Sequence, residues 1–207
     1  MRGTLIGSLV VAGCLASGLL VRADEGGGKT YQTRNMFKIA VGTPLLQSGA
    51  TLVRSRHGLD ARIAASHLDP NAAYTVWWVV FNNPAACGGQ CSPANLGMPA
   101  VRASVFYAAG FVTGDDGTAN ITAHTDDGTL PAGVEVTTDG TVAGLDKGNG
   151  FRAEVHLVVR SHGAIIAGMV DKQIGSFNGD CTPNVCANQQ AAIFPAVAPP
   201  KPDKDDD

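Results

Sequence analysis

Short apolar runs, separated by glycine, proline and Asp-Gly turns, follow one another from residue 37 to residue 161, and they limit the chain to a fold of many short elements. The runs cover residues 37–42, 51–54, 59–66, 74–82, 101–112, 118–125, 134–137, 141–145 and 151–161. Two of them alternate: Leu59, Ala61, Ile63 and Ala65 against Asp60, Arg62, Ala64 and Ser66, and Ala119, Ile121 and Ala123 against Thr118, Asn120, Thr122 and His124. Successive side chains point to opposite faces of a strand, so each of these runs buries one face. Residues 74–81 (YTVWWVVF) are apolar on both faces, which marks a central strand covered on both sides or a strand lining a groove. The 26 glycines and 11 prolines, with only 6% aromatic residues, favour tight turns over long helices. The expected fold is all-β, an antiparallel β-sandwich of Greek-key type.

Asp116-Gly117-Thr118, Asp127-Gly128-Thr129 and Asp139-Gly140-Thr141 recur at about the interval of successive turns in a sandwich and read as hairpin turns. The adjacent carboxylates Asp115-Asp116 and Asp126-Asp127 raise calcium as an alternative. No run, however, supplies the oxygens of a calcium loop at regular spacing.

The chain opens with Arg2, an apolar or small stretch over residues 5–21, and Val21-Arg22-Ala23, the pattern of a signal peptide cut after Ala23. Val11-Ala12-Gly13-Cys14 offers a second reading, a lipobox whose Cys14 is lipidated and becomes the mature N-terminus. Apolar sequence continues past Cys14 to Val21, where a lipoprotein usually turns polar, and this favours cleavage after Ala23. Both readings export the chain to the periplasm, the cell surface or the medium, with a membrane attachment only through a lipid on Cys14. Residues 24–35, glycine-rich and charged, read as a flexible leader, 36–195 as the domain, and 196–207, with Pro199-Pro200-Lys201-Pro202 before an acidic end, as a disordered tail. The net charge is −3, and removal of residues 1–23 takes away Arg2 and Arg22, so nucleic acid is not an expected partner.

Of the five cysteines, Cys14 lies in the export segment and Cys87, Cys91, Cys181 and Cys186 form an even set. Export makes disulfides the default state of the four. The close spacings, CGGQC and CTPNVC, suggest two local loops, with pairing between the clusters still open. A four-cysteine zinc site is the competing reading, disfavoured because its ligands usually come as C-x2-C. The clusters fall in the longest stretches without strand pattern, 83–100 and 171–188, and long ordered loops on a rigid sheet are where binding surfaces sit.

Residues 59–82, reading strand, then Leu68-Asp69-Pro70, then Tyr74-Thr75-Val76, resemble the second and third strands of chordin-type (CHRD) and Cu,Zn superoxide dismutase-like sandwiches. The stretch AEVHLVVR at 153–160 is similar to the histidine-bearing strand near the end of CHRD domains. Trp77-Trp78 before Asn82-Asn83-Pro84, with the paired cysteines, also resembles a group of exported bacterial β-sandwich proteins of unassigned activity. The resemblance implies a CHRD-like sandwich carrying two long disulfide-bearing loops. It does not imply copper, because the dismutase-like fold holds copper through histidines two apart on the strand matching 74–81, where this chain has Trp77 and Trp78.

No G-x-S-x-G elbow, phosphate-cradling loop or free cysteine with a histidine partner is present, so no catalytic residue and no cofactor is assigned. Glu154, His156 and Arg160 share a strand face and form a row able to bind an anion or a metal, or simply a solvated face, and His162 sits at the end of the same strand. Trp77 and Trp78 point to opposite faces, so one of them lies outside the sandwich core, either covered by a loop or exposed to a ligand. The candidate binding residues are therefore Trp77, Trp78, Asn82, His156, Arg160 and His162. The expected function is an exported, non-enzymatic binding or structural module of the cell envelope with an envelope or extracellular ligand. The alternative is a metal-binding protein or metal-dependent enzyme using His156, His162 and nearby carboxylates.

Overall fold

A computed structural model describes residues 20–23, 28–129, 131, 133–137, 144–179 and 181–201. Most of the export segment with Cys14, residues 141–143 of one expected strand, the third Asp-Gly-Thr triplet and the acidic chain end lie outside the described residues. The strands are β1 Leu20–Ala23, β2 Thr30–Lys38, β3 Thr43–Arg54, β4 Gly58–Ala65, β5 Ala72–Phe81, β6 Ala103–Val112, β7 Ala119–Asp126, β8 Val134–Thr137, β9 Glu154–Ala164 and β10 Ala187–Phe194, with a short helix α1 Val170–Gly175. Single 3-10 turns cover Pro84–Cys87, Pro93–Asn95 and Pro99–Val101.

Every strand pair is antiparallel, in the order β7-β4-β3-β2-β10-β9-β5-β6-β8, with β1 added beside β2. β6 packs against β7, so the sheet is nearly closed into a barrel-like shape. β2, β3 and β4 run as consecutive hairpins and β10 returns beside β2, whereas β4 to β5 and β6 to β7 join strands that are not paired. The turn Asp116-Gly117-Thr118 therefore serves a crossover and not the hairpin its sequence suggested. Its carboxylate accepts from the Thr118 amide at 3.1 Å and the Thr118 hydroxyl at 2.8 Å.

The alternation in β4 is realised, with Leu59, Ala61, Ile63 and Ala65 buried and Asp60 and Arg62 exposed. β5 is covered on both sides. Tyr74, Val76, Trp78 and Val80 join Leu52, Phe106, Leu157 and Phe194 in the core enclosed by the sheet. On the outer face Phe81 packs with Cys91, Val101 and Ala103 in a second cluster beneath the first cysteine loop.

β2 begins at Thr30, inside the stretch expected to be a flexible leader, and the fold starts earlier than residue 36. The inward positions of β2 carry Thr30 and Gln32 where an apolar residue would have signalled a strand, and both are buried. Gln32 is acceptable there because Arg54, itself fully buried on β3, donates its Nε–H to the Gln32 side-chain oxygen. Arg54 Nη1 donates to Gly150 O (2.8 Å) and Ala153 O (2.9 Å), and Nη2 to Phe194 O and Pro195 O (both 3.1 Å). Burial pulls the guanidinium down to about 9 and Glu154 acts against this, so it stays charged at neutral pH. β10 carries no sequence signal either: Asn188, Gln189 and Gln190 interrupt it, although it lies at the centre of the sheet between β2 and β9.

Both disulfides are local, Cys87–Cys91 and Cys181–Cys186, each with Cα atoms 5.3 Å apart. A bridge closing so short a loop stabilises by about 2 kcal/mol in the chain-entropy account. Replacing Cys87 and Cys91 together by alanine is expected to lower the free energy of unfolding by that amount in urea titrations. An unchanged midpoint would mean that Phe81 and its neighbours hold the loop without the bridge.

Candidate functional site

Both cysteine loops lie over one face of β9, at opposite ends of it. At the start of the strand, Glu154 Oε1 accepts from the Cys91 amide at 2.9 Å and from His156 Nε2 at 2.8 Å, and the His156 ring packs tilted against Phe81 with centroids 4.9 Å apart. His156 is thereby committed to closing the first loop onto the sheet. His162 lies six residues further along the strand, about 20 Å away at a strand's rise per residue, so the two histidines do not converge.

At the far end, β9 presents Arg160 and His162 to the segment that carries α1 and the second disulfide. Arg160 donates Nε–H to Phe177 O (2.7 Å), Nη1–H to Asn188 Oδ1 (2.9 Å) and Nη2–H to Asn178 Oδ1 (3.2 Å), and its guanidinium lies 4.1 Å above the Phe177 ring. It acts as a clamp on the covering segment. Asn184 Nδ2 donates to His162 O (2.9 Å) and Ala164 O (2.8 Å), and Gln173 Nε2 to Ala164 O (3.0 Å), which ties the loop to the strand end. Gly163, at φ +75°, makes room for this: a Cβ there would stand 2.6 Å from Asn184 Cγ.

The His162 ring is fully buried. Its Nδ1 lies 3.2 Å from Gly179 O and 3.2 Å from Cys186 Sγ, and its Nε2 lies 2.9 Å from Thr75 Oγ1. A carbonyl only accepts, so Nδ1 carries the ring proton and Nε2 accepts from the Thr75 hydroxyl. Thr75 in turn accepts the Trp77 indole N–H at 2.7 Å. Burial pushes His162 below its ordinary value, the Gly179 carbonyl works against this and Arg160 adds to it. Cys181, Cys186 and His162 each place one ligand-type atom within 4.8 Å of the others, the one such group of three among the described residues. A cavity of about 500 Å³ opens over the loop, lined by Arg160, Asn178, Thr182, Asn184 and both cysteines.

The remaining sequence candidates are structural in their contacts. Trp77 and Trp78 are both buried and present no surface to a ligand. Trp78 belongs to the enclosed core, and Trp77 is covered by Phe177 and Tyr107 at centroid distances of 4.9 and 5.7 Å. Its cover is the segment that carries α1, not residues 83–100. Asn82 donates to Arg102 O (3.1 Å) and Gly144 O (3.0 Å) and accepts from the Asp146 amide (2.9 Å), pinning two loops. Sequence reasoning singled out His162 and both cysteines but did not bring them together, because their meeting depends on how residues 165–186 fold back over β9.

Two histidines are shifted in opposite directions from their ordinary value. His124, on the exposed face, lies 2.7 Å from Asp60 Oδ1 and 3.1 Å from Asp126 Oδ1, and these carboxylates raise it, Asp60 most. NMR titration is expected to place His124 above 6.5 and His162 below it, with Asp60→Asn lowering His124. The stability that His124 contributes is present below 6.5 and lost as pH rises through its raised value; that of His162 is present above 6.5 and lost as pH falls through its lowered value. A His162 resonance titrating above 6.5 would contradict the buried, neutral ring.

Among the described residues no helix is long and apolar enough to cross a membrane. Comparison with models of known protein families, with curated proteins and with solved structures gave no match.

Proposed function

We propose that the protein is an exported, non-enzymatic binding module of the cell envelope whose ligand-facing surface is the Cys181–Cys186 loop and the cavity above it. The observation that carries this reading is the placement of both disulfide loops on one face of β9, with an open cavity at the second lined by both of its cysteines, one of which lies 3.2 Å from the buried His162 ring. Glu154, His156 and Arg160 are engaged in hydrogen bonds that hold the loops, which favours a pre-formed surface over a reaction centre. The ligand is an envelope or extracellular molecule and, given the net charge of −3, not a nucleic acid.

The fold proposed for it is a Greek-key, CHRD-like sandwich. Support for it comes from β4 pairing with β7, three strands later in the chain, while β5 and β6 pair with each other and the connection β4 to β5 joins strands that are not paired. Export is supported by the apolar stretch 5–21 and by two disulfides, which persist in oxidising compartments.

Native mass spectrometry of the protein recovered from the envelope and medium of its own cells tests the reading, with a denatured, alkylated aliquot beside it. A mass beginning at Asp24 or at a lipidated Cys14, four cysteines that resist alkylation and a retained ligand mass would support it. Recovery only from the cytoplasm with four alkylatable cysteines would overturn it.

A further inference from the structure

The second disulfide differs from the first in having a neutral, buried imidazole against one of its sulfurs. We propose that, when the Cys181–Cys186 bond is reduced, this site binds a thiophilic d10 cation, zinc(II) or copper(I), through Cys181 Sγ, Cys186 Sγ and His162 Nδ1. The inference rests on the reading of this loop as the ligand-facing surface and names what that surface takes in its reduced state.

Ligand atoms on a tetrahedral zinc with two sulfurs and one nitrogen stand roughly 3.5–3.8 Å apart, given metal–ligand bonds of about 2.0–2.3 Å. The three atoms here lie within 4.8 Å of one another and Nδ1 is already 3.2 Å from Cys186 Sγ. Opening the bond requires the two sulfurs to separate by roughly 1.7 Å from disulfide length, a change that side-chain rotation in a half-exposed loop supplies. Two thiolates and one imidazole suit a cation that prefers sulfur and nitrogen, and the open cavity leaves a fourth position to water or an outside ligand. The site is also poised on its far side. When Nδ1 turns to the metal its proton shifts to Nε2, which then donates to Thr75 Oγ1 at the same 2.9 Å, and the ring keeps its orientation. Arg160 lines the same cavity.

The step balances with a dithiol as reductant. Two electrons pass from the dithiol to the Cys181–Cys186 bond, the dithiol closes to its own disulfide, and the two cysteine thiols formed lose their protons as the cation binds. The disulfide and the metal use the same two sulfurs, so each state excludes the other.

The full chain, reduced with a dithiol and freed of it without air, is titrated with zinc(II) alone and with copper(I) alone, each against a chromophoric chelator. Cobalt(II) is used in a parallel sample for its thiolate charge-transfer band. One equivalent is expected in the reduced protein and none in the oxidised protein. Cys181→Ser with Cys186→Ser is expected to abolish binding, whereas Cys87→Ser with Cys91→Ser leaves it intact. His162→Ala should weaken binding at least tenfold. Because that ring is buried and its loss can unfold the strand end, Thr75→Val is the companion: it keeps all three ligands, loses the partner of Nε2, and is expected to weaken binding about tenfold. Binding of one cation and not the other identifies which d10 ion the site takes. No binding by the reduced protein with its native circular dichroism, or binding unchanged in the Cys181/Cys186 double variant, would overturn the proposal. Neither result bears on export, which the mass of the cellular protein reports separately.

Discussion

Arg54→Leu is expected to destabilise the fold by about 3–5 kcal/mol, a large share of the stability of a domain this size. The leucine fills part of the volume but removes the arginine's donors from the Gln32 side-chain oxygen and from the carbonyls of Gly150, Ala153 and Phe194, while the Pro195 carbonyl keeps the Gln32 Nε2 donor at 3.0 Å. Each buried acceptor left unpaired costs about 1–3 kcal/mol before relaxation, and Glu154, which is also buried, loses a compensating charge. The four carbonyls come from two separated stretches of chain, so the guanidinium joins β3 to the turn before β9 and to the end of β10. Arg54→Lys keeps the charge but supplies three donors from a single nitrogen, and is expected to recover less than half of the loss. Urea unfolding followed by tryptophan fluorescence measures both. A loss below about 1 kcal/mol for Arg54→Leu would mean that water reaches these carbonyls and that the cluster does not organise the end of the barrel.

The same residue explains what could and could not be read in the sequence. β4 and β5 were legible because burial there is carried by apolar side chains, in alternation for Leu59 to Ala65 and on both faces for 74–81. The first half of β2 was hidden because its inward residues Thr30 and Gln32 are polar, and Gln32 is held inside by a buried arginine on the neighbouring strand, a pairing that no local window contains; the one apolar inward residue of β2, Met36, is where the domain was expected to begin. β10 was hidden for a related reason, since Gln190 is buried and donates to Ser66 O at 2.7 Å while the other polar residues of the strand stay outside. Loop length suggested the two local disulfides but left pairing between the clusters open, and the structure has the local pairs. The site was legible in its members and not in its arrangement. His156 and His162 share a face as their spacing requires, but each is taken by a different cysteine loop, and the partner of His162 is set by Asn184 and Gln173 anchoring residues far along the chain.

Trp77→Ala is the second large effect, and it bears on the site as well as on the fold. The indole is 1% exposed on the outer face of β5, where it meets Phe177 and Tyr107 edge-on and donates its N–H to Thr75. Truncating a buried tryptophan costs about 3–5 kcal/mol through lost transfer energy and the cavity left behind. The loss falls on the contact between the sheet and residues 165–186, because Trp77 packs outward against that segment while the enclosed core around Trp78 is untouched. Close packing elsewhere on this contact leaves no slack: Gly110 stands so near α1 that a Cβ would come 1.9 Å from Ile174 O. The expected result is therefore a lower urea midpoint together with local release of the second cysteine loop. His162 then becomes reactive toward a histidine-directed acylating reagent under conditions where His156, beneath the first loop, is still protected. Trp77→Phe retains the ring contacts but drops the indole donor, and is expected to cost about 1 kcal/mol beyond its smaller volume. If Trp77→Ala loses stability yet leaves His162 as protected as in the unaltered chain, the covering segment is held by Asn184, Gln173 and Arg160 rather than by Trp77, and the outer layer folds as a unit of its own.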